Sequence, residues 1–468
     1  MIIKSIVNLA QEYLLTGVIL VLAVVILFLV YRFVSGKHGK KERKKINGKR
    51  LLWWFVFLCY IFMVFAATMF NRNSVYEAQG IRPLFSSYRV AWYGWIRSEW
   101  RNIILNYILF VPLGFLLPMG IKFFRRFYRT ALVGFLYSLF IEVTQRILKV
   151  GVFEPDDLFD NTFGAVIGYG LFMIAFAVFT SVRGGEKVKT AHVLLANVPA
   201  IAVGCVFLAI LLGYRNKELG NNNNTYINVY PAKLLSFSGA TFDDETETTL
   251  PVYKCKLLDD DEALSLAGEI FERFGKGSGV GISNFYEDVG LFWSDKVNAA
   301  VWIKYKGGTF EYTNYTDKKK DSAYFSKEEV KDILLASGYD VVNVGYFTEG
   351  ADYRYSFKYD MREYGDIILD GRIDLHLCED KTVKDMQYTV YPLTYYKDFE
   401  VISEAEAYRQ LIGGRFKSTD TNHLDIEVLR CDIHYNIDTK GFYQPNYRFH
   451  VIKNGKEAWI IIPALKQN

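Results

Sequence analysis

Hydrophobic residues are concentrated in the first 213 positions, whereas the rest of the chain reads as a polar globular sequence rich in Tyr, Asp and Lys. A helix that spans a membrane needs about 20 mostly apolar residues. The pattern predicts six transmembrane helices, because six segments meet this requirement. They cover Tyr13–Val34, Leu51–Phe70, Ile103–Ile121, Thr130–Leu148, Leu158–Val182 and Ala191–Gly213.

Basic residues fall in alternate loops and predict the direction of each span. Lys and Arg are abundant after the first, third and fifth spans, which favours the cytoplasm for these loops. The first segment is interpreted as a retained helix, since a basic loop and another span follow it and not a polar mature chain. Six spans then place both termini and the region after Gly213 outside. We therefore expect a multi-pass protein of the cell membrane.

Acidic and amide side chains interrupt three of the apolar segments at helical spacing. Asn106 lies in the third segment, Glu142 and Gln145 lie in the fourth, and Asp157 and Asn161 accompany the fifth. A charged group in a bilayer costs on the order of 2.5–3.5 kcal/mol on insertion scales, so such groups need partners and mark a functional site. All five lie toward the outer side in the predicted topology. We expect them to form one ligand-binding pocket in the outer leaflet.

Other residues are expected to support this polar set. Arg101 lies just above it and is placed to neutralise the carboxylates. Pro112 and Gly114 mark a kink or break in the third span, and Gly164 and Gly168 would let a neighbouring helix approach closely. These four residues are predicted to serve helix packing.

The polar set also has a purely structural interpretation, in which its members only join helices through interhelical hydrogen bonds. Two observations argue against this interpretation. Several polar groups converge on one depth, and some of them are acids, although amides would cost less free energy in the bilayer. The neighbouring Asp156 and Asp160 are interpreted as interfacial residues.

Four motifs stand out between residues 51 and 182. They are RPLF at Arg82–Phe85, NIILNYILFVPLG at Asn102–Gly114, LFIEVTQ at Leu139–Gln145 and DDLFDNTFGAVIGY at Asp156–Tyr169. Together they resemble the signatures of VanZ-like membrane proteins. The resemblance implies a link to resistance against teicoplanin-type glycopeptides and other envelope-targeting agents. One departure is that Gly151–Pro155 lacks the arginine that family members often carry before the Asp pair, so that role would pass to Arg146 or Arg101.

The polar half alternates amphipathic helices with strand patterns and predicts an extracytoplasmic α+β domain with an antiparallel sheet, with internal duplication left open. Helices are predicted at Asp260–Phe274, Ser326–Ser337 and Ser403–Ile412, the last two beginning with capping boxes. Strands are predicted in Val297–Tyr305, Ile373–Leu377, Met386–Tyr391 and Leu424–Tyr435.

The last 70 or so residues resemble the closing part of YycH/YycI-type extracytoplasmic regulators. The segments that carry this resemblance are SEAEAY, GFYQPNYRF and AWIIIPAL. It implies a module that binds a protein partner. The predicted organisation is a first helix and basic loop at 1–50, a VanZ-like four-helix domain at 51–182, a sixth helix with linker at 183–225 and the extracytoplasmic domain at 226–468.

Composition narrows the function further. The basic clusters adjoin apolar spans, so nucleic acid is a poor candidate partner. The five cysteines and six histidines show no metal-ligand spacing, and no cofactor is expected. Cys255, Cys378 and Cys431 allow at most one disulfide in the polar half.

Three functional hypotheses follow. The leading one is a cell-envelope protein that protects against glycopeptides or other surface-acting antimicrobials. It would do so by binding an amphiphilic or lipid-linked ligand, and membrane lipid would surround the protein. The second is an enzyme that uses the paired acids on lipid-linked cell-wall precursors. The third is a membrane anchor whose external domain restrains a partner kinase. The sequence leaves catalysis open.

Overall fold

A computed structural model of the protein describes residues 48–69, 81–184, 188–222, 224, 235–240, 242, 249–316, 324–341, 345–349, 353–417 and 424–466. The first predicted span, Tyr13–Val34, lies outside these residues. The described residues divide into two compact units, with the boundary between Lys217 and Glu218.

The first unit is helical. Its helices are α1 (Gly48–Met69), α2 (Ser86–Gly94), α3 (Arg97–Gly120), α4 (Phe127–Ile147), α5 (Pro155–Val182) and α6 (Thr190–Asn216). Among the described residues, α1, α3, α5 and α6 are long and apolar enough to cross a membrane. Helix α4 covers the fourth predicted span but is less apolar, because Glu142, Gln145 and Arg146 lie within it. The helical first unit, with four helices of membrane-spanning length and apolarity among the described residues, is confirmed, whereas the number of six spans remains a prediction.

Local sequence explains where these helices begin and how they pack. Helix α5 starts with Pro155 at its first position, and acidic residues occupy its first turn, where they complement the helix dipole. Aromatic and aliphatic side chains from four helices form a buried cluster that includes Tyr60, Phe110, Ile141 and Ala165. This cluster fixes α1, α3, α4 and α5 against each other.

The described residues of the second unit form one continuous sheet of 14 strands. The strands are β1 (Leu235–Gly239), β2 (Thr249–Cys255), β3 (Val280–Phe285), β4 (Val289–Ser294), β5 (Ala299–Lys304), β6 (Phe310–Asn314), β7 (Gly345–Glu349), β8 (Arg354–Tyr364), β9 (Ile367–Leu377), β10 (Val383–Tyr388), β11 (Tyr391–Glu400), β12 (Leu424–Ile437), β13 (Phe442–Lys453) and β14 (Lys456–Pro463).

The strand order is β1-β12-β13-β2-β11-β9-β10-β6-β5-β4-β3, with β14 paired to β13 and the β7–β8 hairpin paired to β9. Most pairs are antiparallel, as predicted. However, β1 runs parallel to β12, with Leu235 opposite Leu424. The expectation of an antiparallel sheet is therefore wrong at this edge, because β1 pairs with a strand almost 190 positions away and not with a hairpin neighbour. The sheet is mixed.

Three helices cover two separate hydrophobic cores of this unit. They are α7 (Asp260–Phe274), α8 (Lys327–Ala336) and α9 (Glu404–Ile412). Helices α7 and α8 contribute to one core, which includes Phe271 and Leu334, and α9 contributes to the other, which includes Leu411 and Phe449. Each of the five cysteines is free, so the sheet is held by packing and hydrogen bonds without disulfides.

The stretch that follows α6, predicted as part of a linker, is bound to the second unit. The Gly220 N–H donates to Asp438 Oδ2 at 2.6 Å, and Asn222 Nδ2 donates to Asn446 Oδ1 at 2.8 Å. Asn221 and Asn222 are buried. These contacts hold the stretch against the β12–β13 hairpin.

Candidate functional site

A cavity of about 790 Å³ lies in the first unit, among α1, α3, the first turns of α5 and the residues around the start of α2. Its wall is formed by Tyr60, Met63, Ala67, Thr68, Arg82, Ser86, Ser87, Val90, Glu99, Asn102, Ile103, Leu105, Asn106, Ile108, Leu109, Pro112, Glu154, Asp157 and Asp160. Apolar side chains come mainly from α1 and α3, while the start of α5 contributes carboxylates. A pocket with both characters is suited to an amphiphilic ligand.

The predicted residues Asn106 and Asp157 meet on this wall. Asn106 Nδ2 donates a hydrogen bond of 2.7 Å to Asp157 Oδ1, which links α3 to α5. The acceptor is a carboxyl group. When it is ionised, a hydrogen bond to it is stronger than a hydrogen bond between two neutral groups. Here the structure brings together two of the residues that the sequence placed at similar depth.

An ion pair lies beside them. Arg82 Nη1 is 2.9 Å from Glu154 Oε1, and the Arg82 N–H donates to the carbonyl oxygen of Phe153 at 3.3 Å. Ser87 Oγ donates to Glu154 Oε2 at 3.4 Å. Arg82 therefore supplies a guanidinium next to the residues that precede the Asp pair. The family resemblance had left this role to Arg146 or Arg101 instead.

Asp156 and Asp160, for which the sequence predicts an interfacial position, are buried within the protein, each with 1% of its surface exposed. Asp156 accepts hydrogen bonds from the backbone N–H groups of Phe85 and Ser87. Phe85 has a left-handed backbone with φ 64°, which a bulky residue adopts only where its surroundings enforce it. Asp156 thus anchors the start of α2 through a strained residue.

Asp160 has a different environment. It accepts a hydrogen bond from the hydroxyl group of Tyr88, whose oxygen also lies 2.9 Å from that of Tyr107. The three side chains form a buried polar chain that joins α2, α3 and α5. Asp160 also reaches the cavity wall.

The other predicted polar residues lie behind the cavity and are not part of its wall. Glu142 Oε2 accepts a hydrogen bond of 2.9 Å from the Glu154 N–H, and Asn161 Nδ2 donates to Ser138 Oγ at 2.9 Å. Gln145 Nε2 donates to the carbonyl oxygen of Thr68 at 3.0 Å. Asn161 thus joins α5 to α4, Glu142 joins α4 to the residue before α5, and Gln145 joins α4 to α1.

Arg101 differs from the expectation as well, and Glu99 is a residue of the wall that the sequence analysis does not name. Arg101 is not part of the cavity wall, and its buried Nε has no hydrogen-bond partner within the described ranges. Glu99 lines the cavity and is half-buried. Its carboxylate makes neither a hydrogen bond nor an ion pair with any residue that the structure describes.

Sequence reasoning therefore missed Arg82, Glu99, Glu154 and Asp160 as residues of the cavity. Arg82 was visible in the RPLF motif, and Asp160 lies three positions after Asp157, on the same side of a helix. Glu99 and Glu154 stand at helix starts, where an acid is ordinarily explained by the helix dipole.

The small residues stand where the helix backbones touch. A Cβ atom at Gly164 would collide with the carbonyl oxygen of Tyr107, and one at Gly168 would collide with that of Val111. On α3, a Cβ at Gly114 would meet the carbonyl oxygen of Ala165. Pro112 lies within α3 and lines the cavity. Close approach of α3 and α5 therefore depends on these glycines.

The described residues contain no group of three or more His, Cys, Asp or Glu side chains arranged to hold a metal ion. Three of the acids on the wall are instead engaged with an arginine, an amide or a tyrosine hydroxyl group, and Glu99 makes no such contact within the described residues. The cavity therefore has an acid-rich polar wall beside an apolar wall.

Residues 52–176 match the family model described as VanZ/LLP1, which covers roughly a quarter of the chain. The VanZ-like resemblance is therefore confirmed for this region. No curated protein matches the chain.

Two solved structures are similar to about half of the chain at low identity. An uncharacterized protein from Eubacterium rectale ATCC 33656 has 9% identity and a TM-score of 0.28, covering 50% of this chain and 92% of its own. The Bacillus megaterium YpeB C-terminal domain has 14% identity and a TM-score of 0.21, covering 45% of this chain and 100% of its own. Scores this low carry no functional argument.

Proposed function

We propose that this VanZ-like membrane protein protects the bacterial cell envelope by binding an amphiphilic or lipid-linked ligand in the cavity between α1, α3 and α5. The observation that carries the proposal is the hydrogen bond from Asn106 to Asp157 on the wall of that cavity. It unites two motif residues from separate helices at a space large enough for a ligand. A role in packing alone would not need such a space beside them.

The cavity has the composition that the proposal needs. Tyr60, Met63 and Ala67 of α1 provide an apolar surface for a lipid tail, and Asn102 and Asn106 of α3 provide amides for a polar head. Pockets of several hundred Å³ with a few directed polar groups are the usual form of a small-molecule site. Glycopeptides of the teicoplanin type are the agents that the VanZ-like resemblance brings into consideration.

Drug susceptibility of the Asp157→Asn variant tests this function. The full-length protein and the variant are expressed in a susceptible bacterial host, and the minimal inhibitory concentration of a teicoplanin-type glycopeptide is measured. Asp398→Asn is the matched control, since Asp398 is exposed in β11 of the second unit. We expect Asp157→Asn to lose protection while the control retains it.

Membrane abundance, measured by immunoblotting, separates function from folding. Loss of protection with normal abundance supports the cavity as the site. Unchanged protection by a normally abundant Asp157→Asn variant contradicts the proposal. If abundance falls, Asn102→Ala provides the second test, because Asn102 lines the same cavity and makes no hydrogen bond within the described part of the chain.

An enzymatic function is a second candidate, favoured by one observation: Asp157 and Asp160 both reach the cavity, three residues apart on one helix. Neighbouring carboxyl groups can share general acid and base roles. Incubation of the purified protein with lipid-linked cell-wall precursors, followed by product analysis, tests this candidate. Turnover that disappears in Asp157→Asn would favour catalysis over simple binding.

A further inference from the structure

The charges on the cavity wall define what kind of head group it can take. Four acids line the cavity, Glu99, Glu154, Asp157 and Asp160, against one basic residue, Arg82. Arg82 is already paired with Glu154 at 2.9 Å. Among the described residues, the wall contains no Lys and no second Arg.

Glu99 adds an independent observation. It lies in the first turn of α3, lines the cavity and is half-buried, yet its carboxylate has no hydrogen bond or ion pair within the described residues. A half-buried carboxylate without a partner is available to a positively charged ligand, which would pair with it. An anionic head group would instead face the Glu99 and Asp157 carboxylates, and the single basic residue that the described wall offers, Arg82, is already paired with Glu154.

We infer that the cavity binds an amphiphile with a positively charged, amine-bearing head, and not a phosphate- or pyrophosphate-linked lipid. Glu99 and Asp157 are the residues placed to contact the head, and the apolar side chains of α1 and α3 line the space for the tail. This inference rests on the proposed function and narrows it, because the sequence left both an amphiphilic and a lipid-linked ligand open.

Matched single-chain probes test the inference. Dodecylamine and dodecyl phosphate have the same tail and opposite head charge. Their binding to the full-length protein in phosphatidylcholine nanodiscs is measured by native mass spectrometry, with empty nanodiscs as the background for lipid partitioning. We expect saturable binding of dodecylamine, at least about tenfold tighter than that of dodecyl phosphate, the ratio that a single charge-assisted contact gives.

Variants locate the contact. Glu99→Gln and Asp157→Asn should each weaken dodecylamine binding by about tenfold or more. Glu427→Gln, an exposed charge change on β12, should leave it unchanged and so excludes a general effect of net charge. Glu99→Gln is the more robust variant, because Glu99 makes no hydrogen bond or ion pair with described residues whose loss could disturb folding.

The outcomes separate this inference from the function beneath it. Tighter or equal binding of dodecyl phosphate overturns the inference but leaves the cavity as a ligand site. Dodecylamine binding that is unchanged in both variants also overturns the inference, and the proposed function then stands if protection against the drug still depends on Asp157. Saturable binding of neither probe overturns the inference and, together with unchanged protection in Asp157→Asn, the proposed function as well.

Discussion

The side-chain amide of Asn106 donates a 2.7 Å hydrogen bond to Asp157 Oδ1 and so ties α3 to α5 at the wall of the cavity. Half-burial of both residues lowers the competition from solvent for this bond. The bond is therefore expected to contribute to stability as well as to hold the carboxylate toward the cavity.

Replacing Asn106 by Leu keeps the branching of the side chain at Cγ and removes the hydrogen-bond donor. We expect the free energy of unfolding to fall by about 1.5–3 kcal/mol, the usual contribution of a hydrogen bond to a charged group. Denaturant unfolding of the purified protein in detergent measures the change. A double-mutant cycle with Asp157→Asn isolates the pair, and strictly additive effects of the two substitutions would show that the bond contributes nothing.

Substitution of Gly164 tests the contact between α3 and α5. Gly164→Ala should destabilise the helical unit by about 1–3 kcal/mol, because the added methyl group collides with the Tyr107 carbonyl oxygen and the helices must separate. Thermal unfolding in detergent is the measurement. Gly204→Ala on α6 is the matched control, since a Cβ at Gly204 meets nothing within 4 Å.

The control should be neutral or gain up to about 1 kcal/mol from the better helix propensity of alanine. Equal melting temperatures for Gly164→Ala and Gly204→Ala would contradict the close approach of α3 and α5.

Local features of the second unit were predictable from the sequence. The helix at Asp260–Phe274 has the predicted bounds, because its apolar residues recur on one face and all its caps are local. The Ser326 side chain accepts a hydrogen bond from the Glu329 N–H, and the Glu329 side chain accepts one from the Ser326 N–H, as a capping box requires. Interactions within four residues of sequence need no knowledge of the fold.

Features that depend on distant pairing were not predictable in this way. The parallel pairing of β1 with β12 joins remote segments, and no local pattern encodes it. In the helical unit, spacing placed Asn106, Glu142 and Asp157 at similar depths. It could not say that Glu142 turns toward the Glu154 backbone while the other two meet at the cavity, since the rotation of each helix depends on its neighbours.

Stability of the second unit should depend on pH through His434. Burial, and then the nearby Arg448 guanidinium, lower the pKa of His434 below its usual 6.5. The folded state therefore disfavours the protonated ring, so stability is full above about pH 6.5 and is lost as the pH falls below it, by at most about 1.4 kcal/mol per pH unit. Hydrogen exchange of peptides from β12 and β13 reports this loss locally.

His434→Gln should flatten that pH dependence, because the group that takes up the proton on unfolding is gone. His192→Gln, at an exposed position of α6, is the matched control and should keep the slope of the unmodified protein. An unchanged slope in His434→Gln would assign the pH dependence to another group.

The outer-leaflet position of the cavity depends on the predicted orientation of the chain in the membrane. A basic cluster lies between the end of α3 and the first turn of α4, at Lys122, Arg125, Arg126 and Arg129. Such clusters are generally retained on the cytoplasmic side of the membrane. We expect a cysteine at Asp398, in a background without the five native cysteines, to react with a membrane-impermeant maleimide on intact cells. A cysteine at Arg126 should react only after permeabilisation. The reverse pattern would put the second unit in the cytoplasm and the cavity at the inner leaflet, out of reach of drugs that act at the cell surface.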